Sequence, residues 1–197
     1  MKTSKNYGAF SSEKELQLWL QNQGIDLSKW DCGSAKSIQN LLTELATGDC
    51  LIQLNPPLRV IHVVQVLIFR ENSILVELEQ EMNDLRKRKR NLPPSEKMKI
   101  GENCFDAAVR CLEEELSVSR KNITILIKEY KPFIRYRTSR SYPGLRSKYY
   151  VYRVKVEVDG LPHENFWSEE KTDEVNHDVI RRHYWGWKYL KNIKYPD

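Results

Sequence analysis

Gly101-Glu102-Asn103-Cys104-Phe105-Asp106-Ala107-Ala108-Val109-Arg110-Cys111-Leu112-Glu113-Glu114-Glu115-Leu116-Ser117-Val118 reads as a short loop feeding an amphipathic helix that ends in three successive carboxylates. Phe105, Ala108, Val109, Leu112 and Leu116 recur at helical spacing, so they share one face and pack on a core. Asn103 suits the N-cap, with Asp106 three residues on. The other face carries Asp106, Arg110, Glu113 and Glu114, with Glu115 at its edge beside Cys111. Carboxylates crowded this closely repel one another. A divalent cation relieves that repulsion, and so does plain solvation.

Outward from this helix the chain divides at Asn55-Pro56-Pro57, because paired prolines cannot continue a helix. Residues 1–54 read as a leader and a helical extension, and residues 55–197 as the main domain. In the extension, Met1 to Ser12 has the polar look of a frayed leader. Ser12 and Glu15 suit a capping box for a helix to about Gln23. A second helix, opened near Ser34 and closed by Gly48, places Ile38, Leu41, Leu42 and Leu45 on one face.

In the main domain, the β-branched run from Val60 to Phe69 reads as a central strand. A turn over Arg70 to Ser73 returns it as a second strand from Ile74 to Leu78. His62, alone in that apolar run, has a structural reading. The five consecutive basic residues Arg86 to Arg90 are expected to be a solvated loop, open to a phosphate or nucleic acid. Ile123 to Ile127 and Lys148 to Val158 are expected strands, and a terminal helix from about Thr172 carries Val175, Val179, Ile180, His183, Tyr184 and Trp187. The order of elements is α+β.

The stretch from Glu96 to Val118 resembles the Nudix box, the loop-helix motif of the Nudix hydrolase superfamily. Glu102 (after Gly101), Arg110, Leu112, Glu114, Glu115 and Val118 stand where that pattern wants them. Glu96 replaces the first glycine, Cys111 the glutamate after the arginine, and Ser117 the late glycine. The resemblance implies a Nudix-type α/β/α sandwich with a mixed sheet, plus a small N-terminal helical extension. It implies magnesium or manganese held by Glu114 and Glu115 with support from Glu102, and Glu102, Arg110 and Glu115 as the catalytic group, Arg110 orienting the carboxylates. The implied activity is hydrolysis of a nucleoside diphosphate linked to another moiety. A thiol is too soft to ligate magnesium, so Cys111 leaves the set short, and Glu169 or Glu170 is a candidate to complete it. The departures support a rival reading, a non-catalytic Nudix-fold protein that binds a nucleotide or RNA or serves a larger assembly.

Substrate contacts have their own signal. Between Tyr130 and Lys155 there are eight basic residues, six tyrosines and no acidic residue. Arg135, Arg137, Arg140, Arg146 and Lys148 are placed to meet phosphates, and Tyr142, Tyr149 or Tyr150 to stack on a base. The same interleaving suits RNA. No apolar run reaches membrane-spanning length, no secretory signal is visible, and the four cysteines lack metal or disulfide spacing. A cytoplasmic, reducing setting is the expectation.

Overall fold

The structure is a computed structural model that describes residues 7–126, 131–171 and 180–192. In chain order its elements begin with β1 (Tyr7–Gly8), α1 (Glu13–Asn22), α2 (Ile38–Ala46), β2 (Leu51–Gln53) and β3 (Leu58–Arg70). Then come β4 (Ser73–Met82), β5 (Lys87–Leu92), β6 (Ser95–Lys97), α3 (Cys104–Glu115) and β7 (Ile123–Ile125). The last are β8 (Phe133–Thr138), β9 (Arg146–Val158), β10 (Phe166–Glu169) and β11 (Ile180–Tyr189). The chain forms two compact units: residues 1–63, 97–102 and 132–151, and residues 64–96, 103–131 and 152–197.

The first unit is built around α1 and α2. Ser12 caps α1 by accepting from the Glu15 backbone, and the Glu15 carboxylate accepts from the Ser11 backbone at 2.8 Å. Ser37 caps α2 in a reciprocal box with Asn40, so this helix opens later than Ser34. Leu16, Leu20 and Leu41 bury completely against Ile52, Ile61, Tyr142 and Leu145. Each such leucine contributes about 1.5–3 kcal/mol through the apolar area it removes from water. Trp30 joins this core and donates from Nε1 to the Pro143 carbonyl at 2.8 Å. A charged cluster lies beside it. The buried Glu44 carboxylate pairs with Arg59, with Lys36 at 2.9 Å and with Lys97 at 3.4 Å. The expected frayed leader is corrected in its described part, since Tyr7 and Gly8 pair with Gln53 and Ile52. Backbone groups that would otherwise need water find partners there. The β8–β9 hairpin completes the unit, Phe133 to Thr138 facing Val151 to Arg146. His62 stacks on Tyr150 with ring centroids 4.7 Å apart, a structural contact as expected.

The second unit is organised on β4, which pairs antiparallel with the end of β3, with β5 and along its length with β11. β10 extends the sheet beyond β11, and β7 pairs with the end of β9. Leu67, Ile74 and Val76 form a small buried cluster.

Two expectations fail in this unit. The basic run is not a loop. Lys87, Arg88 and Lys89 lie opposite Glu81, Gln80 and Glu79, and Lys87 Nζ is 3.0 Å from Glu79. Opposite charges across a ladder stabilise a strand that the basic residues alone would not favour. Nor is Ile180 to Tyr189 helical. It is a strand with β4 on one side and β10 on the other, burying His183 and Trp185 on one face. The backbone bonds on both sides outweigh the weak helical spacing of its aromatics. The remainder of the expected helix, residues 172–179, lies outside the described residues, as does Ile127 of the expected strand over 123–127.

Candidate functional site

Helix α3 takes the form its residues dictate. Asn103 Oδ1 accepts from the backbones of Phe105 and Asp106, each at 3.0 Å. Ala107, Ala108, Val109, Cys111 and Leu112 are buried, while Asp106 and Glu113 face outward. The helix ends where Leu116 and Val118 both donate to the Leu112 carbonyl. This closure puts Ser117 at φ +55°, the left-handed region that the late glycine of the box adopts without strain.

Beyond this point the side chains part company. Arg110 Nη1 is 3.2 Å from Glu114 and 3.9 Å from Glu96, so it bridges two carboxylates on the outer side. Glu115 turns inward and is almost fully buried. Burial raises its pKa well above the usual carboxyl range. The nearby His183 pulls the other way, and Glu77, Glu96 and Glu170 add to the rise. Cys111 is completely buried, and burial, with Glu115 and Glu96 close by, keeps the thiol protonated. Glu102 belongs to the other unit, where its carboxylate accepts from the Lys99 backbone at 2.8 Å.

The residues after β10 close over the end of α3. Ser168 Oγ donates to the Glu115 carbonyl, and the Lys171 backbone donates to that of Glu114 at 3.1 Å. This run also delivers Glu170, whose Oε2 is 2.5 Å from His183 Nε2. On the other side of the same ring, Nδ1 is 2.5 Å from Glu77 Oε1. Burial alone would lower the His183 pKa, but hydrogen bonds to Glu170 and Glu77 raise it to about 9. Glu77 and His183 were not legible in the sequence. Glu77 alternates with Glu79 and Glu81 along β4, and nothing in that pattern says which of them turns inward.

The expected substrate residues all lie in the first unit, on or beside the β8–β9 hairpin. Arg146 and Lys148 line a cleft of about 330 Å³ together with Tyr136, Gln53, Pro56, Pro57 and Leu58. Arg135, Arg137, Arg140 and Tyr149 do not line it. Tyr142 is corrected as a stacking residue, because it is fully buried with its ring 5.1 Å from Trp30. Tyr136, half exposed and directly across the ladder from Lys148, is the aromatic residue that the cleft does present.

An antiparallel sheet unit carrying a capped helix that ends in paired glutamates defines the class. The NUDIX domain matches residues 60–186, and the chain belongs to that family. Its fold is accordingly the Nudix-type α/β/α sandwich of the α+β class, with three α-helices among the described residues. Among solved structures it is similar to a C. elegans Ap4A hydrolase binary complex, with 15% identity over 67% of this chain and 82% of that one and a TM-score of 0.37. It is also similar to the E. coli ORF135 protein, at 17% identity over 68% and 76% with a TM-score of 0.37. For a MutT NUDIX hydrolase from Burkholderia pseudomallei the values are 19%, 70%, 88% and 0.34. No protein of curated function matches the chain in sequence.

Magnesium needs hard oxygen donors in near-octahedral array. Here Glu114 is paired with Arg110, and Glu102 is tied to the Lys99 backbone. Glu170 is bound to His183, and the place of a further carboxylate is taken by a neutral thiol. Among the described residues no three His, Cys, Asp or Glu side chains are arranged to hold a metal ion. The donors as they stand do not fit the ion. Among the same residues, no helix is long and apolar enough to cross a membrane.

Proposed function

We propose that this Nudix chain binds the diphosphate of a nucleoside diphosphate linked to another moiety, and that binding needs no magnesium. One observation carries the reading: a basic cleft of about 330 Å³ in which Arg146 and Lys148 stand beside the exposed ring of Tyr136. The guanidinium offers a planar fork to a phosphate, and the ammonium adds a point charge. Tyr136 offers a face to the base. Arg135, Arg137 and Arg140 raise the positive potential around the hairpin and assist encounter. Residues 1–54 act as an extension to the Nudix-like part, 55–197. The four free cysteines support a reducing, cytoplasm-like setting.

A second reading has its own observation in favour. Glu115 is buried within the influence of Glu77, Glu96 and Glu170, and a divalent ion would relieve that crowding. On it, Glu114 and Glu115 would rearrange from their present setting to hold magnesium or manganese, Arg110 would position them, and a diphosphate linkage would be hydrolysed there.

Calorimetric titration of the full chain with ADP- and UDP-sugars, in EDTA and then in MgCl2, tests both. Binding in EDTA that weakens in Arg146→Ala and Tyr136→Ala, with no product released in MgCl2, is the expected result. Failure to bind across the panel overturns the first reading, and magnesium-dependent product release establishes the second. Tighter, salt-sensitive binding of a single-stranded RNA would move the function to nucleic acid.

A further inference from the structure

Strand β8 forms an edge of the sheet in the first unit. Its residues Phe133 to Thr138 pair with Val151 to Arg146 of β9, and no second strand meets them among the described residues. An edge strand turns a row of backbone N–H and C=O groups away from its neighbour, which makes it a template for another chain. Native edges are commonly kept short or broken by a bulge. β1 has two residues and β10 four, and β5 carries a register shift against β4. β8 has neither device. Its register runs unbroken from Phe133 to Thr138.

The side chains on this edge are of two kinds. Alternate residues of a strand point to opposite faces, so Ile134 and Tyr136 share one face and Arg135 and Arg137 the other. Ile134 is 50% exposed and Tyr136 52%, which leaves apolar surface where simple protection of an edge would place polar groups. Arg137 is exposed as well, and Arg140 is exposed just past the end of the strand. The guanidinium of Arg135 lies 5.4 Å from the Phe133 ring. From Tyr130 to Lys155 the sequence has no acidic residue.

We propose that the outer edge of β8 is a docking site for an extended acidic segment of a partner protein, which joins the sheet as a further strand. Backbone hydrogen bonds supply the attachment, and the side chains supply the choice of partner. The faces of β8 dictate what that segment carries: apolar residues beside Ile134 and Tyr136, and acidic residues beside Arg135 and Arg137, in strict alternation. A second copy of the chain fits poorly. Pairing β8 with β8 sets arginines beside arginines, and like charges across a ladder repel. The inference does not depend on the nucleotide reading, whose cleft shares only Tyr136 with this edge.

The test titrates the full chain with a short capped peptide that alternates valine and glutamate, read by calorimetry and by amide hydrogen exchange in NMR spectra. Binding that slows exchange at alternate residues of β8 is the expected result, because a docked strand covers only the outward-facing amides. Of two peptides methylated on alternate backbone nitrogens, one set in each, only one keeps its binding. Arg137→Glu weakens binding about two- to thirtyfold, the range given by exchanging an attractive cross-strand pair for a repulsive one. Ile134→Asp weakens it as well. The methylated peptides are read on the wild-type chain, so the outcome does not hang on the folding of either variant. Absence of binding, binding that leaves exchange in β8 unchanged, or equal binding of both methylated peptides overturns the proposal. So does a dimer that already protects the same amides without peptide, which would make a second copy the occupant. Single-stranded RNA that binds more tightly and displaces the peptide would give the edge to nucleic acid and overturn it too. ADP-sugar titrations score the cleft separately through Arg146→Ala, so either reading fails alone.

Discussion

Ser168 and Trp185 hold each other across the β10–β11 edge, the indole Nε1 donating to Ser168 Oγ at 2.7 Å. The same hydroxyl donates onward to the Glu115 carbonyl, so one small side chain fastens the sheet to the last turn of α3. Trp185 is fully buried and its N–H has no water to turn to. Ser168→Ala therefore leaves a buried donor unsatisfied, and the expected loss is about 1–3 kcal/mol. A lowered urea midpoint with an unchanged slope will show it. An unchanged midpoint would mean that the indole finds another partner.

Ser117 occupies a backbone conformation that suits glycine, at φ +55°. The left-handed region costs an L-residue roughly 1–2 kcal/mol, and the extra entropy of an unfolded glycine returns about 0.5–1 kcal/mol of that. Ser117→Gly should therefore stabilise the chain by up to about 1 kcal/mol. Thermal melting checks the sign, and a lowered melting temperature would contradict the strain assigned here.

Glu44 is the anionic centre of the first unit. Burial alone would raise its pKa, but Arg59, Lys97 and Lys36 outweigh burial and hold it at about 2. The folded value lies below the unfolded one. Stability from this group is therefore complete above about pH 4.5 and is lost as pH falls towards 2. Glu44→Gln removes that pH dependence and leaves the buried Arg59 without its counter-ion, at a cost of about 3–5 kcal/mol. Denaturation series between pH 2 and 6 on both proteins measure the two effects together.

Cys111 stands where the Nudix pattern has a glutamate, yet it is completely buried with Glu115 and Glu96 near it. Cys111→Glu adds a further acid to a site that already holds Glu115 and Glu96 and has no room to solvate it. We expect destabilisation of about 3 kcal/mol or more, not recovered by MgCl2. A stable variant that hydrolyses nucleotides with magnesium would show that the pocket accepts the ion after all.

Much of this protein was legible in one dimension. The helix over residues 104–115 and its cap follow from periodicity and from Asn103, and the β3–β4 pair follows from two β-branched runs joined by a polar turn. Those signals are local, so local physics suffices. The strand at Ile180–Tyr189 was not legible, because its spacing satisfies two periods and only the presence of strands on both sides chooses between them. The basic strand at Lys87–Leu92 was hidden for the same reason, since the carboxylates that stabilise it belong to β4.

The site divides along the same line. Sequence by itself determined the family motif, the missing carboxylate at Cys111 and the basic character of the β8–β9 hairpin, because residue identity and spacing suffice for each. Tertiary structure alone decided which acids turn inward, that Tyr136 and not Tyr142 faces the cleft, and that His183 sits between Glu77 and Glu170. Those partners lie 106 and 13 residues from His183 along the chain, and a contact between groups so far apart exists only once the strands that carry them have paired.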